Sequence, residues 1–266
     1  MEPTKDINPK AKTRDMRARR FPLHRMVPNM VTLLALCLGL TALRQGLAGQ
    51  FETAMICIIT AAFLDAFDGR LARLLKAESP FGAQLDSLSD FVNFGIVPAL
   101  LIYLFALESL GRIGWAVILM FSVCCALRLA RFNVDIEEAD RPAWKMRFFV
   151  GVPSPSAGAL VMLPMFLHVG GIADLREAPW LVSVNVVLVA LLMVSKFPTF
   201  SGKGISPTIR RDFVLPVMLG IGLLAVMVFT FPWITLSLLC AVYYALVPVA
   251  WVSYRRLNNA AKADVN

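Results

Sequence analysis

The sequence predicts an all-α integral membrane protein of about eight transmembrane helices, and three observations predict it. Hydrophobic residues make up 58% of the 266 positions and the mean hydropathy is positive, which marks a chain built for lipid. The apolar residues fall in runs of near-span length separated by polar segments. Lys and Arg are sharply partitioned: with the N-terminus inside, 23 of the 26 fall in inner segments and only Arg44, Arg112 and Arg176 fall outside, the positive-inside pattern. The net charge of +8 therefore serves orientation and contact with anionic headgroups, and no nucleic acid partner is expected.

Residues 1–26 read as a basic cytoplasmic tail. It ends in MRARRFPLHRM, an interfacial segment interrupted by Pro22. The first span begins at Pro28 and runs to about Leu43, with Asn29 suited to cap it and Thr32 one turn on. The second runs from Phe51 to about Leu75. Twelve uncharged residues, about 18 Å of helix, precede its Asp65, which puts that carboxylate near the cytoplasmic third. After Pro80, a third span from Gly82 to about Leu107 carries Asp86 and Asp90 in its first turns, so the hairpin returns its carboxylates to the same depth. A fourth covers about Gly114 to Asn133 and closes with ALRLARFN.

The fifth span starts in GVPSPSAGALVML and continues to about Val169; its small Ser154, Ser156, Ala157 and Gly158 permit close helix approach. The sixth is about Pro179 to Lys196, the seventh about Phe213 to Phe231 and the eighth about Trp233 to Tyr254. The membrane catalytic domain is thus expected at 27–255, with 256–266 a second cytoplasmic tail. Cys37, Cys57, Cys124, Cys125 and Cys240 lie in apolar runs without zinc spacing, and His24 and His168 are too far apart for a histidine site.

One stretch contradicts its lipid setting: Asp65 to Asp90, DAFDGRLARLLKAESPFGAQLDSLSD. At about 100° per residue Asp65 and Asp68 fall about 60° apart on one helix face, and Asp86 and Asp90 about 40° apart on the next. An uncompensated Asp near a bilayer centre costs about 3 kcal/mol, so four would cost on the order of 12, a typical domain's whole stability. Something positive must sit among them. Clustered oxygen ligands without His or Cys select magnesium, manganese or calcium over zinc. Gly69 leaves a Cβ-free patch beside Asp68, and Arg73 is a fixed cation one turn on. Carboxylate, glycine and arginine together suggest phosphate held through metal.

Asp65, Asp68, Gly69, Ala72, Arg73, Gly82, Asp86 and Asp90 stand at the spacing of the CDP-alcohol phosphatidyltransferase signature, and the chain resembles that family. SLSDFVNFGIVPALLIY, LRLARFN, FVGVPSPSAG and LMVSKFPTFSGK resemble its bacterial type II phosphatidylserine synthase branch. The resemblance implies the family's helical membrane fold, a homodimer in the bacterial inner membrane with a cytoplasmic active site, and transfer of phosphatidyl from CDP-diacylglycerol to L-serine with release of CMP. It implies two Mg²⁺ or Mn²⁺ ions on Asp65, Asp68, Asp86 and Asp90, with Asp90 also the general base. Asn29, Thr32, Gly69, Arg73, Ser79 and Gly82 would contact the CDP-lipid.

Serine's carboxylate calls for a cation, for which Arg128, Arg131 and Lys196 are candidates, or else ordinary flanking charges. Asn93 and Asn133 read either as packing groups or as acceptor ligands. Two rivals are another acceptor alcohol (glycerol phosphate, inositol phosphate or choline) and an ion transporter. Against the transporter, the carboxylates gather on one side instead of crossing the bilayer.

Overall fold

The computed structural model describes residues 26–137, 148–195, 198–200 and 211–263. The N-terminal tail with its interfacial segment and His24, Lys196, and most of the two basic loops lie outside them. The described chain is nearly all helical: α1 (Val27–Leu47), α2 (Phe51–Leu74), α3 (Pro80–Leu110), α4 (Arg112–Glu137), α5 (Ser154–Val161), α6 (Leu163–Val169), α7 (Pro179–Val194), α8 (Arg211–Thr230) and α9 (Pro232–Ala263). Two three-residue strands, β1 (Phe148–Val150) and β2 (Pro198–Phe200), pair antiparallel with Phe149 opposite Thr199. This ribbon was not expected in an all-α chain, because it is built from the ends of the two basic loops.

Among the described residues, five stretches are long and apolar enough to cross a membrane: α1, α3, α4 to Val134, α8 from Phe213, and α9 to Arg255. The expected eight are not reached on length and composition. The α2 helix carries Asp65, Asp68, Arg70 and Arg73, α7 has only 16 residues, and the anticipated fifth span is two short helices.

The break between α5 and α6 follows from Pro164. Its ring nitrogen has no hydrogen to give the carbonyl of Leu160 four residues back, and Asn185 of α7 supplies one instead, Nδ2 to O at 3.0 Å. Tyr244 of α9 in turn donates its hydroxyl to Asn185 Oδ1 at 2.6 Å, so one side-chain amide ties α5, α7 and α9 together. The α3 helix deviates for a related reason. Pro98 cannot donate to Phe94, and the segment Phe91–Ile96 widens to π-helix, with Val97 N–H reaching Val92 O.

On α1 the buried residues Thr32, Ala35, Gly39, Ala42 and Gly46 recur every three or four positions, a small-residue stripe that lets its backbone approach α2 and α3. Gly39 shows how close: a Cβ there would overlap Asn93 Oδ1 and stand 3.0 Å from Asn93 Cγ. The apolar core lies where α3, α4, α5, α6 and α7 meet, around Phe121, Leu101, Ile102, Leu160 and Met165.

Candidate active site

The α2–α3 hairpin builds the site. The α2 helix ends at Leu74, Ala77 N–H bonds Ala72 O at 2.9 Å, and the chain turns back through Lys76, whose φ is +49°. Ser79 then starts α3: its Oγ accepts from Gly82 N–H at 3.0 Å, with Pro80 at the first helical position. This short turn sets the face bearing Asp65 and Asp68 against the first turns of α3.

The consequence is a cluster. Carboxylate oxygens of Asp65, Asp68 and Asp86 lie within 4.8 Å of one another. Asp90, one turn beyond Asp86, stands against Asp65 rather than in that group, close enough for their carboxyls to interact directly. Asp65 Oδ1, Asp68 Oδ1 and Asp90 Oδ1 are buried without a hydrogen-bond partner. Three orphaned anionic oxygens in an apolar domain, with no His or Cys among the gathered donors, fit a hard divalent cation.

Asp68, only 3% exposed, has one side-chain partner: Thr32 Oγ1 of α1 donates to its Oδ2. The same hydroxyl lies 3.1 Å from the Pro28 carbonyl; having one proton, it serves the charged acceptor better. Ser89 Oγ reaches back to Thr32 O at 3.5 Å and accepts from Asn93 Nδ2 at 3.2 Å. A buried polar thread therefore runs from the π-helical turn of α3 to a carboxylate of the cluster. Sequence reading missed Ser89; its only signal was its position between Asp86 and Asp90.

Beside the cluster opens a cavity of about 490 Å³. All six residues expected to contact the CDP-lipid line it, together with Asp68 and Asp86: Asn29 and Thr32 from α1, Gly69 and Arg73 from α2, and Ser79 and Gly82 from the start of α3. A Cβ on Gly69 would meet nothing within 4 Å, so that backbone faces open space. One on Gly82 would stand 2.9 Å from Asn29 Oδ1, so the glycine is what lets α1 close over the start of α3. Asn29 is not the cap that its type suggested: α1 begins one residue earlier than expected, Met26 occupies the N-cap, and no side chain caps it.

The expected acceptor residues lie apart from this cavity. Arg128 is buried on α4, its Nη1 3.4 Å from Ser154 Oγ. Arg131 Nη1 donates to Val194 O at 3.4 Å, and Asn133 Nδ2 to Ser87 Oγ at 3.1 Å. Asn93 is fully buried against Gly39.

A family model described as CDP-alcohol phosphatidyltransferase matches residues 25–195, and a second, CDP-alcohol phosphatidyltransferase 2, matches 212–248. Among curated relatives, a Mycobacterium leprae protein named CDP-diacylglycerol--serine O-phosphatidyltransferase is 35% identical over 89% of this chain and 80% of its own. Proteins of the same name from Helicobacter pylori and Bacillus subtilis are 31% and 37% identical, over 87% and 65% of this chain and 92% and 90% of theirs.

Proposed function

Because the chain belongs to the CDP-alcohol phosphatidyltransferase family, we propose that it transfers the phosphatidyl group of CDP-diacylglycerol to L-serine, giving phosphatidylserine and CMP. The observation that carries this reading is the junction of the carboxylate cluster with the cavity. Asp68 and Asp86 belong to both, so a diphosphate bound in the cavity would end at the cluster.

Asp65, Asp68 and Asp86, with Asp90 beside them, would hold two Mg²⁺ or Mn²⁺ ions. Such ions supply charge neutralisation to the diphosphate and to the departing CMP oxygen. The chain's own groups do the rest. Arg73 presents a guanidinium to the nucleotide diphosphate from the cavity wall. Gly69 admits the ligand against bare backbone, and Asn29, Thr32, Ser79 and Gly82 shape the cytidine end. Asp90 accepts the proton of the acceptor hydroxyl as that oxygen bonds to the lipid-bearing phosphorus and the bond to CMP breaks. Arg128, Arg131, Asn133 and Lys196 are the candidates for holding the acceptor.

The setting we infer is the bacterial inner membrane, with both termini and the active site cytoplasmic, as the distribution of Lys and Arg favours. Eight membrane passages and a homodimer complete the proposal. The test is CMP release by the purified protein from CDP-diacylglycerol with L-serine, glycerol phosphate, inositol phosphate or choline, with and without excess chelator. L-serine should support release that chelation abolishes and Mg²⁺ or Mn²⁺ restores. Release with a different acceptor alone, or full activity in chelator, would overturn it.

A further inference from the structure

We propose that Asn133 of α4 is a positioning residue for the carboxylate cluster: bonded to Ser87, it fixes the rotation of α3 that aims Asp86 and Asp90. The inference rests on the reading of that cluster as a metal site, and it moves Asn133 from the acceptor candidates to the support of the metal ligands.

The first turns of α3 carry two of the four carboxylates on little packing. From Pro80 to Asp90 only Ser89 is buried, while Phe81 and Leu88 are exposed. Metal ligands must nonetheless be held to within about 0.5 Å, so something other than an apolar face has to fix this segment. The sequence DSLSD, residues 86–90, supplies two hydroxyls. Ser89 Oγ reaches Thr32 O of α1 at 3.5 Å. Ser87 Oγ accepts from Asn133 Nδ2 of α4 at 3.1 Å, and its own proton has Ala83 O at 3.1 Å nearer than Asn133 Oδ1 at 3.3 Å. Among the described residues, Ser87 and Asn133 are the one hydrogen-bonded pair that joins Pro80–Asp90 to α4, and both side chains are half-buried.

Helical phase gives the two serines their meaning. With Asp86 at 0°, Asp90 falls at about 40°, Ser87 at about 100° and Ser89 at about −60°. The hydroxyls bracket the carboxylate stripe, each about 80° from its middle, one held by α4 and the other by α1. Rotation of α3 about its own axis would carry both carboxylates the same way, and at about 6 Å from the axis a turn of about 10° moves them roughly 1 Å. A misplacement of that size can cost about 10²-fold in rate. The bond to α1 is the longer of the two, so Asn133 supplies the closer restraint. It stands on a held element, since Arg131 Nη1 ties the same end of α4 to Val194 O of α7 at 3.4 Å.

The experiment titrates Mn²⁺ calorimetrically into the metal-free full chain in detergent, and measures kcat and KM for L-serine with CDP-diacylglycerol at saturating Mn²⁺. Asn133→Ala and Ser87→Ala should each raise the apparent dissociation constant for Mn²⁺ about 2- to 10-fold, the size of one neutral hydrogen bond, with the KM for L-serine within about twofold of wild type. The double variant should rise no further than either single one, because the two residues act as a pair, and Ser87→Thr, which keeps the hydroxyl, should stay near wild type. Wild-type Mn²⁺ affinity in the single variants, or effects that multiply in the double variant, would overturn the positioning role. So would Asn133→Ala with unchanged Mn²⁺ affinity and a raised serine KM, which would return Asn133 to the acceptor. Should Asn133→Ala fail to fold, Ser87→Ala carries the same test, since alanine is the better helix former and leaves Asn133 without its partner. A wild type that releases no CMP with L-serine would overturn the serine reading alone, because the calorimetric arm uses no acceptor; one that binds no Mn²⁺ would overturn the positioning role as well.

Discussion

Replacing Thr32 by Val tests whether α1 contributes to the cluster or only to the nucleotide cavity. The substitution keeps the branched shape and removes the hydroxyl that donates to Asp68 Oδ2. Asp68 is 3% exposed and its other oxygen is already unpartnered, so the variant leaves the carboxylate with no protein donor from a side chain. A hydrogen bond to a charged group is worth about 1.5–3 kcal/mol, or roughly 10- to 150-fold in an equilibrium constant. Its loss leaves Asp68 freer to turn away from Asp65 and Asp86, and the effect should appear in metal dependence. The assay is CMP release as a function of Mn²⁺ concentration in wild type, Thr32→Val and Thr32→Ser. Half-saturation in the Val variant should move upward by about that range, with the rate largely restored at saturating Mn²⁺, while the Ser variant, which keeps the hydroxyl, stays near wild type. Unchanged metal dependence with a raised KM for CDP-diacylglycerol would refute the positioning role and assign Thr32 to the nucleotide instead.

Three further outcomes are expected. Asp90→Asn should lose about 10² to 10⁴ in rate while CDP-lipid affinity largely survives, whereas Asp65→Asn should weaken that affinity; equal loss of donor binding in both would make Asp90 mainly a ligand. Gly39→Ala should lower the thermal midpoint of the detergent-solubilised protein, because its Cβ overlaps the buried Asn93 side chain and overpacking costs about 1–3 kcal/mol. Asn93→Ala in the same chain should recover part of that loss, and a Gly39→Ala variant as stable as wild type would contradict the close approach of α1 and α3. A reporter fused after Asn266 should be active on the cytoplasmic side, and activity only on the opposite side would reverse the orientation inferred from the Lys and Arg distribution.

The carboxylate cluster was legible because helical periodicity is local: three- and four-residue spacings put Asp65 with Asp68 and Asp86 with Asp90 whatever the rest of the chain does. The cavity was legible through resemblance, which named Asn29 and Thr32 of α1 although they stand more than thirty residues before the motif's centre. Spacing could not say that Thr32 bonds Asp68, since that contact depends on how closely two helices pack. Its trace in the sequence was the small-residue stripe ending at Gly46. The break at Met162 and the π-helical turn after Asp90 each had a signal in a proline, Pro164 and Pro98. A hydropathy run reads straight through both, because proline in an apolar segment changes the hydrogen bonding without changing the apolar character. The β1–β2 ribbon was hidden because strand pairing between residues fifty apart leaves no periodic mark in three-residue segments.

Asp90 and Arg128 pose a sharper question than either does alone, because Asp90 is among the charges that act on Arg128 and in a low-dielectric interior opposite charges gain strongly by closing into an ion pair. They form no ion pair: Asp90, on α3, lies against Asp65 of α2, and Arg128 lies against Ser154 at the start of α5. Backbone placement holds them apart. The π-helical turn that begins at Phe91 fixes where Asp90 leaves α3, and the packing of Gly158 against the Phe94 backbone, 3.3 Å from an added Cβ, fixes where α5 begins relative to it. An ion pair there would neutralise the proposed base and one of the candidate acceptor contacts in one step. Keeping them separate leaves an acceptor hydroxyl one charge to give its proton to and the same acceptor's carboxylate another to rest on. On this argument Gly158→Ala, which touches neither group, should raise the KM for L-serine by shifting α5 away from Asp90, with CDP-diacylglycerol affinity unchanged. A variant with wild-type serine kinetics would show that the separation does not depend on that contact.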